Sequence, residues 1–503
     1  MQNRTTRRPT PFSAGGWATA SFIIGYAVSG LLYLPLARKL EPGDFGLYTE
    51  ASLIFSALTI MIETPLIRAM VRMPGRRHEV AQATFGLSIV LGLGGMLLCG
   101  LSGWPFSLVY NEPRLVGVLW IMAPAVLAVS LGVVPHAILI RELEFRRRIL
   151  PESIAILAGA AVGITAAFLG AGVFSLVIYA MLRAVLNTVV AWLIVRWKPG
   201  QGWGGWQTWR EVLGFGIPAS GGELAQFARF NVDFIIGGIR LGTDALGVYN
   251  LGWKTTEIPA KLINATFDNV GYATFARLQT DRRYLERVFL TATGLLAAVT
   301  LPLFLGAIFV RQELVDVALG DKWAAAVEVL LPLFLLQALW VISHPSAGLL
   351  LAFGHSRIYA FINGFSLVLS IVTLLIGAGF GIDGIAWAML VSTGFTSLVW
   401  LGLGWYYCRP SGEATWQAAR LPLYLTFSTV PPILAAQILT GAAHLPAIVR
   451  LAAAALAGLV GFGIVAKLNW TELWGDISLL RQNLPDEIEL EERVEAEKVI
   501  TSP

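Results

Sequence analysis

Charge is scarce in this chain: 14% of its 503 residues are Asp, Glu, Lys or Arg and 56% are hydrophobic, whereas a soluble domain carries about 25% charge. That deficit excludes an ordinary soluble globular fold, and a mean hydropathy of +0.68 points the same way. Cysteine is as rare. Cys99 and Cys408 lie in or beside apolar runs, so neither a disulfide framework nor a thiolate metal site is expected. The five histidines, His78, His136, His344, His355 and His444, share no ligand spacing, and packing or cavity lining is expected of them. No G-x-x-x-x-G-K-[ST], H-E-x-x-H or G-x-S-x-G motif occurs, which leaves no nucleotide motor and no hydrolase signature. Neither a cofactor nor a catalytic residue is expected.

What the chain has is long apolar runs, recurring at helix-plus-turn intervals from residue 13 to residue 466. A hydrocarbon core requires about 20 apolar residues per helix, and only helices or closed barrels satisfy the backbone there. The runs are helix-length, so the fold class expected is all-α and polytopic. Fourteen transmembrane helices are predicted near 13–37, 45–70, 80–108, 115–140, 150–169, 172–195, 212–238, 244–276, 285–310, 324–350, 357–379, 383–405, 419–440 and 445–466. The first follows Arg4, Arg7 and Arg8 and is read as a retained helix, since no small-residue cleavage site closes it. With the N-terminus inside, basic residues on the inner segments outnumber those on the outer ones roughly threefold, as the positive-inside rule requires. Dispersed over many loops, they do not form a nucleic-acid surface.

The chain divides into an N-terminal six-helix lobe (1–197), a Gly- and Trp-rich cytoplasmic linker (198–211), a second six-helix lobe (212–408), two further helices (409–466) and an acidic cytoplasmic tail (467–503). A repeat supports this division. Leu40, Phe45, Gly46, Leu47 and Tyr48 match Leu241, Leu246, Gly247, Val248 and Tyr249, and Pro135 and Gly170 to Gly172 match Pro345 and Gly381 to Gly384. Six helices followed by six similar ones enter the membrane with the same orientation, so a pseudo-two-fold along the membrane normal is expected.

Polar residues inside a membrane helix are costly and usually mark a pathway or an ion site. The predicted helix 244–276 carries Asn250, Lys254, Glu257, Lys261, Asn264 and Asp268 at spacings that put all six on one face. That stripe is about 27 Å long, nearly the hydrocarbon thickness. Its repeat partner carries Thr49, Ser52, Ser56, Thr59 and Glu63, the helix before it Glu223, Gln226, Arg229 and Asp233, and the sixth helix Arg183. One reading lines a hydrated lumen with these faces, Lys254, Lys261, Arg229 and Arg183 attracting an anionic substrate and Asn250, Asn264, Ser52, Ser56 and Thr59 completing the polar wall. The other pairs Lys254 with Glu257, Glu257 with Lys261 and Arg229 with Asp233 as buried, mutually neutralised charges. Glu223, Asp233, Glu257, Asp268 and Glu63 are candidates for a coupling proton or Na⁺, because burial raises a carboxyl pKa and carboxylates ligate hard cations.

The chain resembles the Wzx-type oligosaccharide flippases of bacterial polysaccharide biosynthesis, within the multidrug/oligosaccharidyl-lipid/polysaccharide exporter superfamily. The likeness rests on the Leu40 to Tyr48 turn, on Asp233, Ile235, Ile236 and Gly237 followed by Gly247, Val248 and Tyr249, on Pro259, and on Leu319, Gly320 and Trp323. It implies export of an undecaprenyl pyrophosphate-linked repeat unit across the inner membrane by alternating access, for surface polysaccharide. The implied partners are that lipid-linked oligosaccharide, membrane lipids, a polymerase and a chain-length regulator. Glu257 between two lysines departs from a uniformly cationic lumen. An ion-coupled drug exporter of the same superfamily and a membrane-embedded glycan polymerase or transferase are the competing readings; the first favours an acidic cavity and the second a large outer loop.

Overall fold

The computed structural model describes residues 33–73, 77–141, 145–195, 197–200, 205–277, 282–471, 473–475 and 478. Among them it is helical with no strand. Most of the first predicted helix and the acidic part of the tail lie outside the described residues. Helix α1 is seen over 33–39. It is followed by α2 (Pro42–Arg72), α3 (Arg77–Tyr110), α4 (Arg114–Arg141), α5 (Phe145–Phe168), α6 (Val173–Ile194), α7 (Trp206–Arg277), α8 (Arg282–Phe309), the short α9 (Arg311–Ala318), α10 (Ala326–Ala352), α11 (Ser356–Gly377), α12 (Gly381–Cys408), α13 (Gly412–Ala442) and α14 (Ala447–Leu468).

Ten stretches among the described residues are long and apolar enough to cross a membrane, one of them a run over Ser356–Cys408 that holds both α11 and α12. The protein is thus a multi-pass membrane protein. α7 is not among the ten, because its charged stripe lowers its hydropathy. It bends at Gly242, whose φ of 81° lies where only glycine sits without strain, and the bend gives it two arms matching two predicted helices.

Burial runs opposite to a soluble protein. Leu456, Leu459, Val460 and Ile464 of α14 and Phe361, Val368 and Ile376 of α11 are exposed, while Glu50, Asp233, Asn264 and Gln337 are buried. Lipid tails are as apolar as leucine, so the interior is selected by packing and polar pairing. One core joins α2, α3, α4 and α6 to Val212 at the start of α7. Another gathers α1, α2, α6, α7, α8 and α10 around the fully buried Trp323. Trp323 donates from Nε1 to the Ala37 carbonyl at 2.8 Å and meets Phe45 edge-on at 5.4 Å, fastening the turn before α10 beneath the α1–α2 corner.

α2 packs along α7 at both of its ends. At one end a Cβ on Gly46 would run into the Thr243 carbonyl, and one on Gly247 into the Pro42 carbonyl. At the other, a Cβ on Gly216 would run into Pro65, and Arg68 forms an ion pair with Glu223. The proline pair expected from the repeat sits inside α4 and α10, and Gly170 and Gly381 both have positive φ, 85° and 77°.

Candidate functional site

The second arm of α7 carries the polar stripe through the fold. Lys254 Nζ lies 2.9 Å from Glu257 Oε2, and Lys261 Nζ lies 2.7 Å from Glu257 Oε1. Spacings of three and four residues put both ammonium groups on the helical face of the carboxylate, so each oxygen of Glu257 takes one lysine. Two cations on one anion leave a net positive charge. The carboxylate is 15% exposed and each lysine 32%; charge withdrawn this far from water persists only when it is paired, which the triad achieves. One turn on, Asn264 is buried with neither amide atom hydrogen-bonded within the protein. Asn250, one turn before Lys254, is half-buried.

Arg183 of α6 forms an ion pair with Glu152 of α5. Glu152 is within electrostatic range of Glu63 of α2, and Arg183 within that of Tyr48 and Tyr179. Tyr33 of α1 lies within electrostatic range of both Arg183 and Glu257. Ser52 and Ser56 are half-buried and Thr59 is buried on the neighbouring α2. Ser52 and Thr59 donate to carbonyls of their own helix, Thr49 at 2.8 Å and Ser56 at 3.0 Å.

Other candidates are placed elsewhere. Arg229 sits over the Phe230 ring at 5.0 Å, with its Nε buried and without a hydrogen-bond partner, and is within electrostatic range of Tyr359 of α11. The pairing of Arg229 with Asp233 is not formed. Asp233, fully buried, accepts a hydrogen bond from the Tyr249 hydroxyl at 2.7 Å across the bend at Gly242. Glu223 is engaged with Arg68. The side chain of Asp268 lies outside the described residues. Among the described residues no group of His, Cys, Asp and Glu is arranged to hold a metal ion.

Sequence reasoning missed Tyr33, Tyr179 and Glu152 and read Tyr48 only as part of the repeat; Glu152 fell at the start of its predicted helix, 150–169, where an acid is unremarkable. Outside the spans, Glu112 in the α3–α4 turn accepts from Arg114 Nε and Nη2, both at 2.9 Å. These bonds, aided by Thr243 from the α7 bend, hold its carboxyl below the ordinary carboxylate range.

The family model described as "Polysaccharide biosynthesis protein" matches residues 35–328. The lipopolysaccharide biosynthesis protein WzxC of Escherichia coli (strain K12) is 24% identical over 74% of this chain and 75% of its own length. The succinoglycan biosynthesis transport protein ExoT of Rhizobium meliloti (strain 1021) is 23% identical over 63% of this chain and 64% of its own. Among solved structures, the inward closed conformation of the lipid II flippase MurJ superposes with a TM-score of 0.70 at 13% identity, over 90% of this chain and 98% of that one. At that identity the likeness speaks for the fold.

Proposed function

The chain belongs to the polysaccharide biosynthesis protein family, and from that premise we propose that it is a flippase moving a lipid-linked oligosaccharide, an undecaprenyl pyrophosphate-linked repeat unit, across the bacterial inner membrane by alternating access. The observation that carries this reading is the Lys254–Glu257–Lys261 triad, two ammonium groups on one half-buried carboxylate in the interior of a membrane protein. Pyrophosphate is strongly anionic, and a cationic, water-lined path lowers the barrier that lipid presents to it and its sugars. The isoprenoid remains in lipid while the head group enters. The lysines and Arg183 hold the pyrophosphate, Asn250, Asn264, Ser52, Ser56 and Thr59 meet the sugars, and Asp233, Glu257, Asp268, Glu63 and Glu223 are the groups able to take a coupling proton or Na⁺. Arg229, turned toward α11, is the weakest member of the cationic set.

The architecture behind this reading is fourteen helices, two six-helix lobes about an axis along the membrane normal, and α13 and α14 as an added pair, with both termini cytoplasmic. Gly46 against Thr243 and Gly247 against Pro42 support the axis, because the residues of each contact are exchanged by the same sequence offset. A polymerase and a chain-length regulator act next on the exported unit.

The test is chromosomal replacement of Lys254 and Lys261 by Gln, with lipid-linked glycan assayed on each leaflet of the inner membrane. Accumulation on the inner leaflet with loss of surface polymer is expected. Unchanged polymer and unchanged inner-leaflet intermediates in the deletion strain itself overturn the assignment.

A further inference from the structure

A cavity of about 730 Å³ lies away from the polar stripe, where the start of α8, the end of α12 and the start of α13 meet. Arg287, Arg409 and Arg420 line it, with Glu286 the one carboxylate among its described lining residues. That carboxylate is already engaged: it accepts from the Ser411 N–H at 3.2 Å, while Ser411 Oγ caps α13 by accepting from the Ala414 N–H at 3.1 Å. Arg409 has a left-handed backbone, φ 46°, which ends α12 and sets its guanidinium over the Tyr406 ring at 5.7 Å. The cavity is therefore built, with its corner fixed, and Arg287 and Arg409 present guanidinium groups to it, whose planar forks match phosphate oxygens.

It does not end in protein. A second, apolar recess of about 190 Å³ continues from it between α8 and α13, lined by Ala297, Leu301, Ala419 and Leu423, and the two share Leu290, Gly294, Ala418 and Pro422. An arginine-rich chamber opening into an apolar channel matches one chemical class, a phosphate head group with acyl chain attached. A free anion has no use for the recess. The three arginines stand in segments that the charge asymmetry places on the cytoplasmic side, where anionic lipids bind basic pockets between helices. Tyr406, beside Arg409, and Trp416 of α13 are both exposed, as aromatics at a membrane interface are.

We propose that this cavity is a binding site for an anionic glycerophospholipid of the inner leaflet, its phosphate held by Arg287 and Arg409 and one chain lying in the α8–α13 recess. The site is separate from the Lys254–Glu257–Lys261 triad and does not rest on the transport reading.

The experiment is native mass spectrometry of the purified, delipidated full-length protein titrated with dioleoyl phosphatidylglycerol, dioleoyl phosphatidylethanolamine or inorganic phosphate. The wild type should bind phosphatidylglycerol about tenfold more tightly than phosphatidylethanolamine, and millimolar phosphate should not displace it. Arg287→Gln combined with Arg409→Gln should abolish that preference. Ala419→Phe, which fills the recess and leaves the arginines in place, should weaken both lipids together, and Lys254→Gln with Lys261→Gln should leave the preference intact. Phosphate displacing the lipid, full preference retained in the arginine variant, or undiminished affinity for both lipids in the recess variant overturns the assignment; a preference lost only in the lysine variant moves the lipid to the triad and also overturns it.

Discussion

Gly46 and Gly247 hold the α1–α2 corner against the bend of α7 from opposite sides, Gly46 beneath the Thr243 carbonyl and Gly247 beneath that of Pro42. Pro42 and Gly46 correspond in the repeat to Thr243 and Gly247, so the contact is one interaction made twice. Glycine is required at both places because the opposing atoms are backbone and cannot rotate away.

Gly46→Val should therefore prop this end apart. Overpacking of about 1–3 kcal/mol shifts a two-state balance by about tenfold or more. Labelling of a cysteine at Ser52 by an outside, membrane-impermeant maleimide should rise accordingly, with the native cysteines silent because both are buried. Unaltered labelling would show that the corner is not a gate.

Glu257→Gln should be more harmful than loss of one lysine. It leaves two ammonium groups facing each other in a half-buried place, where breaking a fully buried pair costs about 3–5 kcal/mol and partial exposure brings this to about 1–3. Lys254→Gln together with Glu257→Gln leaves one cation and should regain most of the stability. Thermal unfolding of the detergent-purified variants reads the order directly.

Asp233 separates structure from coupling. Tyr249→Phe removes the donor from a buried carboxylate and should cost about 1–3 kcal/mol. Asp233→Asn keeps an acceptor for Tyr249 and should cost less. If Asp233 takes the coupling ion, Asp233→Asn alone removes the dependence of glycan export on the ion gradient in inverted vesicles.

The outer turn should be insensitive to mild acid. The Glu112 carboxyl is held low by Arg114, so its contribution is complete above the ordinary glutamate value of about 4.3 and is lost only as pH falls through the lowered folded-state value. Labelling of a cysteine at Ser52, taken relative to a free cysteine peptide at the same pH so that thiol ionisation cancels, should be constant from pH 8 to pH 5. Glu112→Gln, which removes the charge at every pH, should raise it throughout; a rise in the wild type near pH 6 would contradict this.

Much of the fold was legible because membrane helices announce themselves in one dimension. The stripe at Lys254, Glu257 and Lys261 was equally legible, since its partners are three and four residues apart. Arg183 with Glu152, Arg68 with Glu223 and Asp233 with Tyr249 were not. Their partners lie on other helices, or on the other arm of a bent one, and no periodicity encodes which neighbour a helix will meet. The last of these crosses the bend at Gly242, so that Asp233, expected to pair with Arg229 on its own arm, bonds Tyr249 on the other. Arg287, Arg409 and Arg420 were visible only as topology markers, because the cavity they share is assembled from segments more than a hundred residues apart.

About 28 Å of α2 separates Gly46 from Pro65, and both ends are clasped to α7 in this structure, by Thr243 at one and by Gly216 and the Arg68–Glu223 pair at the other. A stiff rod with two latches pivots when one is released and the other serves as fulcrum. Undoing both at once gives up both of its anchors on α7. A pore open to both sides, which would discharge the membrane, requires that double release and is therefore harder to reach than an opening at either end alone.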